Sequence, residues 1–264
     1  MNHSSEKGNW ACITGASGGL GAEYARQLAP DFDLILAARD DVRMKALAAE
    51  IGTARKIRIE KIDLTRDEDI VKLEKILTST KNLDLLVNNA GLGGFGNFVE
   101  MDGKTQHDQV LLNVNALFRL SHVALKMMKA QNSGGLINVA SVAAFQPIPY
   151  AATYSATKAF VKVFSEAIAE ELRDTNVHIQ CCCPGMTRTE FQSRANIHVS
   201  IPDFLWMEST DVVKESLEAY FARKSTVVVT GLVNKTAMAL SSSVPSSLNA
   251  RITGEILRKT IGAK

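Results

Sequence analysis

Two stretches of this 264-residue chain carry residue types at spacings that could do chemistry. The first is YSATK, residues 154–158. Side chains four apart on a helix share a face, with Cβ atoms about 5–6 Å apart, so Tyr154 and Lys158 would point the same way. A free phenol titrates near pH ~10. An ammonium beside it favours the phenolate and lowers that value. A phenol tuned toward working pH can give or take a proton in a reaction. Taken alone, the pair reads more readily as an ordinary amphipathic pair on a helix surface. Tyr150 offers no such pairing, because its neighbour one turn on is Tyr154.

The second stretch is TGASGGLG, residues 14–21, with Gly15, Gly19 and Gly21 spaced G-x-x-x-G-x-G. Glycine lets the backbone turn with positive φ and approach a ligand closely. The helix start beyond it offers free N–H groups and the positive end of a dipole to a pyrophosphate. The spacing differs from the longer G-x-G-x-x-G pattern, but it stands at a first strand–helix junction, where α/β chains bind dinucleotides. The second strand should distinguish NAD from NADP. It ends in Ala38 and Arg39 rather than in the carboxylate that would hold a ribose 2′-hydroxyl. Asp40 and Asp41 fit the next helix start, with Asp41 as its cap. The Arg39 guanidinium would form charge-assisted bonds to a 2′-phosphate. The expected cofactor is NADP (NADPH); the alternative is that Arg39 is a solvated surface charge.

The elements that must position these residues alternate. Strands are expected at 10–14, 33–39, 55–64, 83–91, 135–141, 177–185 and 225–231. Helices are expected at 20–30, 41–52, 65–79, 105–129, 150–173 and 216–224. Thr65 and Glu68 look like a capping box. Strands separated by such helices imply an α/β fold: one doubly wound, Rossmann-type domain over 1–264, with a parallel sheet and right-handed crossovers. The net charge of +2 gives no general case for nucleic acid. The N-terminal MNHSSEKGN lacks the apolar run of a secretory signal, and no stretch approaches the ~18 apolar residues of a membrane span. Cys12 and the run Cys181–Cys183 contain no C-x-x-C pattern. They read as reduced, buried thiols of a cytoplasmic protein, with no metal site.

The motifs, in order, carry a family resemblance. From about Asn9 to Val229 the chain resembles the short-chain dehydrogenase/reductases, through TGASGGLG (14–21), DLT (63–65), NNAG (88–91), LLNVNAL (111–117), Ser141 in NVAS, YSATK (154–158) and PGMTRT (184–189). The resemblance implies that Tyr154 is the acid/base, and that Lys158 lowers its pKa and bonds the nicotinamide ribose. It implies that Ser141 hydrogen-bonds the substrate oxygen and that an asparagine holds a relay water; Asn113 is preferred to Asn115. It places Gly15, Ser17, Gly19, Leu20, Gly21, Arg39, Asp63, Leu64, Asn89, Ala90, Gly91, Val114, Pro184, Gly185 and Thr187 at the cofactor, beside Tyr154 and Lys158. It also implies a homodimer or homotetramer built on the two long helices.

Residues 186–209 hold Phe191, Ile197, Ile201, Phe204, Leu205, Trp206 and Met207 in a poorly periodic context. They read as a lid over a lipophilic ketone or alcohol, such as a fatty acyl, steroid-like or aromatic compound, or as packing against the domain or a second subunit. The tail, 234–264, places Leu248, Ile252, Ile256, Leu257 and Ile261 on one helical face beside Arg251, Arg258, Lys259 and Lys264. Packing on its own domain is expected, with a partner subunit or a membrane surface as alternatives. The expected function is NADP(H)-dependent interconversion of a carbonyl and an alcohol on a small molecule. A catalytically silent NADP-binding sensor or scaffold is the rival reading, which the joint presence of Ser141, Tyr154 and Lys158 disfavours. A dehydratase or epimerase on the same fold is a third.

Overall fold

The computed structural model describes residues 8–195, 202–241 and 244–261. Ile197, Ile201 and Lys264 lie outside them, as do the side chains of Lys259 and Ile261. In chain order the elements are β1 (Trp10–Thr14), α1 (Gly19–Leu28), β2 (Asp33–Ala38), α2 (Asp41–Ile51), β3 (Ile57–Lys61), α3 (Asp67–Ser79), β4 (Leu83–Asn88) and α4 (Gly103–Val110). A π-helical turn (Leu111–Ala116) leads into α5 (Leu117–Gln131). Then follow β5 (Gly135–Val139), a 3₁₀ turn (Val142–Phe145), α6 (Ala152–Glu171), β6 (His178–Cys183), β7 (Thr187–Arg188) and α7 (Phe191–Arg194). The chain closes with β8 (Met207–Glu208), α8 (Ser209–Phe221), β9 (Val227–Val229), α9 (Leu232–Ser241) and α10 (Ser246–Ile261).

Seven strands form one parallel sheet in the order β3-β2-β1-β4-β5-β6-β9. This is the α/β, doubly wound architecture expected. Its central strands are mostly apolar because both faces are covered, whereas the edge strand β3, IRIEK, alternates apolar and charged residues and is only partly buried. Along β1, Ala11 and Ile13 enter a core shared with Tyr24, Leu28 and Met44, while Cys12 enters a second core with Leu73, Leu77 and Met128. The strand order reverses at β1 and β4, and the crevice beyond their carboxyl ends is where such sheets bind ligands.

Buried polar chains fix the register of neighbouring layers. Asn88 donates to Asn138 Oδ1 at 2.9 Å and to Ser121 at 3.0 Å, and Asn138 donates to Ser165 at 3.0 Å. Tyr24 donates to Ser216, which donates to Gln180, both at 2.7 Å, joining α1, α8 and β6.

Several boundaries differ from expectation for local reasons. Asp40, not Asp41, caps α2, accepting from the Arg43 amide at 3.0 Å. The capping box at Thr65 does not form. The Thr65 hydroxyl turns back to Asp63 at 2.8 Å, and α3 begins two residues later with no side-chain cap. The helix expected at 105–129 starts at Gly103 and is interrupted by the π turn around Asn113. Helix α6 begins at Ala152, because Tyr150 sits in the left-handed region at φ 65°. The tail holds two helices, α9 and α10.

Candidate active site

The phosphate end is a turn that accepts only glycine. Gly15 and Gly19 hold φ of 69° and 53°, conformations costly for residues with a Cβ. A Cβ on Gly21 would lie 2.3 Å from the Gly15 carbonyl oxygen and 2.5 Å from Asn89 Nδ2. The turn is pinned to β2 by the Gly15 amide, which donates to Ala37 at 2.8 Å. Asn89 Nδ2 donates to the Thr14 carbonyl at 2.9 Å, and the amides of Asn89 and Ala90 both donate to the Thr14 hydroxyl at 3.0 Å. These bonds lock the ends of β1 and β4 into one floor.

Helix α1 opens with no side-chain cap and no acidic residue in its first turn. Its first N–H groups are thus left for an anionic partner, so this floor fits a dinucleotide pyrophosphate. Ser17 is half-buried in the turn, and Leu20 packs on the core. Arg39 is exposed at the end of β2. Burial works to raise the Asp63 carboxyl, but the Thr65 hydroxyl and amide, with Arg39 and Arg66 nearby, hold it below the usual range. Leu64 turns into the core at 6% exposure, so only its backbone is left to face a ligand.

The other end of the crevice gathers Ser141, Tyr154, Lys158 and Asn113. Ser141 follows β5 and caps the 3₁₀ turn, its Oγ accepting from the Ala143 amide at 3.1 Å. Tyr154 stands in the first turn of α6; the residue as a whole keeps some exposure, but its hydroxyl end is enclosed. Burial pushes its phenol up to about 12, and a hydrogen bond with Ser141 acts in the opposite direction. The expectation that Lys158 lowers this value is not met. The Lys158 ammonium is 5.8 Å from the ring centroid and donates to the Val139 carbonyl at 2.8 Å, so its hydrogen bond is made to the strand instead. Burial pushes the ammonium itself down to about 8.

Asn113 makes three side-chain hydrogen bonds. Its Oδ1 accepts from the Leu92 amide at 2.9 Å, and its Nδ2 donates to the Leu92 carbonyl at 2.8 Å and to Thr157 Oγ1 at 3.0 Å. A Cβ on Gly91 would lie 3.4 Å from Asn113 Oδ1 and 3.5 Å from Lys158 Nζ, so these two groups flank one glycine. Asn115 is half-buried and makes none of these ties. Val114 lies beside Asn113 in the widened turn, half-buried. On the far wall, Pro184 and Thr187 are buried, and the Thr187 hydroxyl donates to the Gly185 carbonyl at 3.1 Å.

Three contacts were not visible in the sequence. The Phe191 ring lies 5.6 Å from the Tyr154 ring and packs where a Cβ on Gly93 would sit, 2.6 Å from it. Thr157 joins α6 to Asn113, and Asn234 of α9 packs on Gly185. Phe191 stood out as an apolar residue of the 186–209 segment, but no periodicity assigned it a neighbour. Among the described residues, no group of His, Cys, Asp and Glu is placed to hold a metal ion.

Comparison with known proteins adds an independent line. The family model described as short chain dehydrogenase matches residues 9–199. The chain is 32% identical over 207 residues to the very-long-chain 3-oxoacyl-CoA reductase of Coccidioides immitis, covering 75% of this chain and 58% of that protein. It is 32% identical over 217 residues to the mouse 17-beta-hydroxysteroid dehydrogenase type 3, covering 80% and 68%. Thus it spans well under two thirds of the fungal reductase's length. Among solved structures, a short-chain dehydrogenase from Sphingobium yanoikuyae in complex with NADPH superposes with a TM-score of 0.81 at 32% identity, covering 90% of this chain and 96% of that one. With a family model spanning most of the sheet and the motif residues gathered at one crevice, the chain belongs to the short-chain dehydrogenase family.

Proposed function

We propose that this chain interconverts a carbonyl and an alcohol on a lipophilic small molecule, using NADP(H). The observation that carries the reading is the meeting of Ser141, Tyr154 and Lys158 at the carboxyl end of the sheet, with the phenol held protonated. A bound nicotinamide would supply the hydride. As negative charge grows on the substrate oxygen, the Ser141 hydroxyl and the Tyr154 phenol stabilise it as preorganised donors. Tyr154 then gives its proton to that oxygen. The neutral phenol is the form that donates a proton in the reductive direction. Lys158, charged below about 8, stands ready to bond a ribose hydroxyl and to restore the proton. Asn113 keeps Leu92 and Thr157 in place. With its Nδ2 spent on both, a relay water would meet its Oδ1 or a carbonyl freed by the π turn.

The lipophilic substrate class rests on Phe191 over the phenol, on Phe95 and Tyr150 with rings 6.3 Å apart, and on the names of the relatives. NADP over NAD rests on exposed Arg39 at the end of β2 and on the NADPH complex of the Sphingobium protein. A homo-oligomer through α5 and α6 belongs to the same proposal, as does a cytoplasmic setting for four free thiols. The test is cofactor consumption against ketones graded by chain length and ring size, with NADPH and NADH in parallel. The reading expects NADPH-dependent turnover that improves with apolar size. Turnover with NADH alone, or with small polar ketones only, contradicts it.

A further inference from the structure

The strap of residues 189–191 crosses the cofactor crevice, and its middle residue is tied to a cation beside the expected 2′-phosphate position. Thr189 packs against the glycine-rich turn, its Cβ and Cγ2 lying 3.4 Å from where a Cβ on Gly19 would stand. Phe191 covers the Tyr154 ring. Between them Glu190 accepts from the Arg43 guanidinium at 2.6 Å. Arg43 lies in the first turn of α2, four residues after Arg39 in the chain, and the Asp40 cap orients it. Asp40 accepts from the Arg43 amide at 3.0 Å and lies 3.5 Å from Arg43 Nε. Both members of the Arg43–Glu190 pair are half exposed to solvent, at 52% and 53%, so a soluble anion can reach and replace the carboxylate.

We propose that Arg43 is a second contact for the 2′-phosphate of the cofactor, and that Glu190 of the strap competes for the same guanidinium. This rests on the NADP reading and deepens it. A guanidinium offers five N–H donors in a fixed fork. A phosphate monoester carries about −1.5 to −2 charges and three acceptor oxygens, against one charge on a carboxylate. Phosphate therefore outcompetes Glu190, and the strap is tethered to the cation that reads the phosphate. A dinucleotide without the 2′-phosphate leaves the tether in place.

Titration calorimetry with 2′,5′-ADP and 5′-AMP isolates this end of the cofactor from catalysis. Glu190→Gln removes the competitor and is expected to tighten 2′,5′-ADP binding about threefold, on the scale of one exposed ion pair. Arg43→Gln removes a charge-assisted phosphate contact and is expected to weaken it about tenfold. Neither variant should change 5′-AMP binding. The double variant should match Arg43→Gln in its 2′,5′-ADP affinity, because competition for the phosphate's cation requires that cation. If Arg39→Ala weakens 2′,5′-ADP but the Arg43 and Glu190 variants leave it unchanged, or shift 5′-AMP equally, this inference falls and the NADP reading stands. If the wild type binds both nucleotides equally, both fall.

Discussion

Tyr154 and Lys158 are both driven by burial toward their neutral forms, and this has measurable consequences at the residue scale. The folded Lys158 titrates near 8 against an ordinary 10.5, so the native state holds that proton less tightly than the unfolded chain does. The cost of burying the ammonium is complete below about 8. It fades as pH rises toward 10.5, so this group's contribution to stability grows across that window. Tyr154 runs the other way. Its folded value of about 12 lies above 10.0, so its contribution is intact below 10.0 and is lost as pH rises toward about 12. Replacing a buried ion pair by apolar side chains of similar volume is often neutral or stabilising by about 1–4 kcal/mol because the desolvation cost is removed, and a lone buried ammonium carries that cost without a partner's compensation. Lys158→Met is therefore expected to unfold at higher urea than wild type below pH 8, with the gap closing near 10.5, while turnover is lost. A variant less stable than wild type by the same amount at both pH values would contradict the burial account.

At the element scale, the widened turn at Leu111–Ala116 brings Asn113 to the loop after β4. Asn113→Ala removes three hydrogen bonds and leaves buried partners unpaired, at an expected cost of about 2–4 kcal/mol in chemical denaturation. Asn115→Ala, at a half-buried position without those ties, is expected to cost about 0.5 kcal/mol or less. Equal costs would reassign the role. In the glycine-rich turn, Gly21→Ala forces a Cβ against the Gly15 carbonyl. An overpacking cost of about 1–3 kcal/mol is expected, with weaker binding of either dinucleotide in a fluorescence titration. A variant that binds normally would show that the turn has room to spare.

The alternation of strands and helices was legible because periodicity and apolar runs report burial, and burial sets this fold. The π turn was not, because LLNVNA contains no proline or glycine to mark a break. The cap of α2 went to Asp40 rather than Asp41 because two adjacent carboxylates offer the same chemistry and backbone geometry alone chooses. The motif residues were legible from their order along the chain. The reach of Phe191 to Tyr154 and of Glu190 to Arg43 was not, since those contacts join segments tens to more than a hundred residues apart. The direction of the Tyr154 shift is not legible in the sequence for a related reason. The i,i+4 spacing gives proximity to Lys158, but how deeply the fold buries the phenol is a tertiary fact.

At the scale of the whole molecule, apolar surface remains on α5 and α6. Phe118, Phe160 and Val163 are 47%, 38% and 63% exposed, and Phe164 bridges the two phenylalanines. If these helices meet those of a second copy, sedimentation should show a dimer or tetramer, and Phe160→Glu should shift it to a smaller species. A wild-type monomer would contradict the homo-oligomer. The tail departs from the expectation that its apolar face turns inward. Helix α10 meets the body through Gly254 against Pro149 and Arg258 toward Tyr150, while Leu248, Ile252 and Ile256 are about half exposed, at 47%, 50% and 59%.

The most direct test compares wild type and Tyr154→Phe for steady-state ketone reduction and for NADPH binding in the same buffer. The expected result is that turnover falls by at least the ~10²–10⁴-fold typical of a lost general acid, with NADPH affinity within a factor of about two. Turnover that survives the substitution, or that disappears only because NADPH no longer binds, would contradict the assignment of the phenol as proton donor.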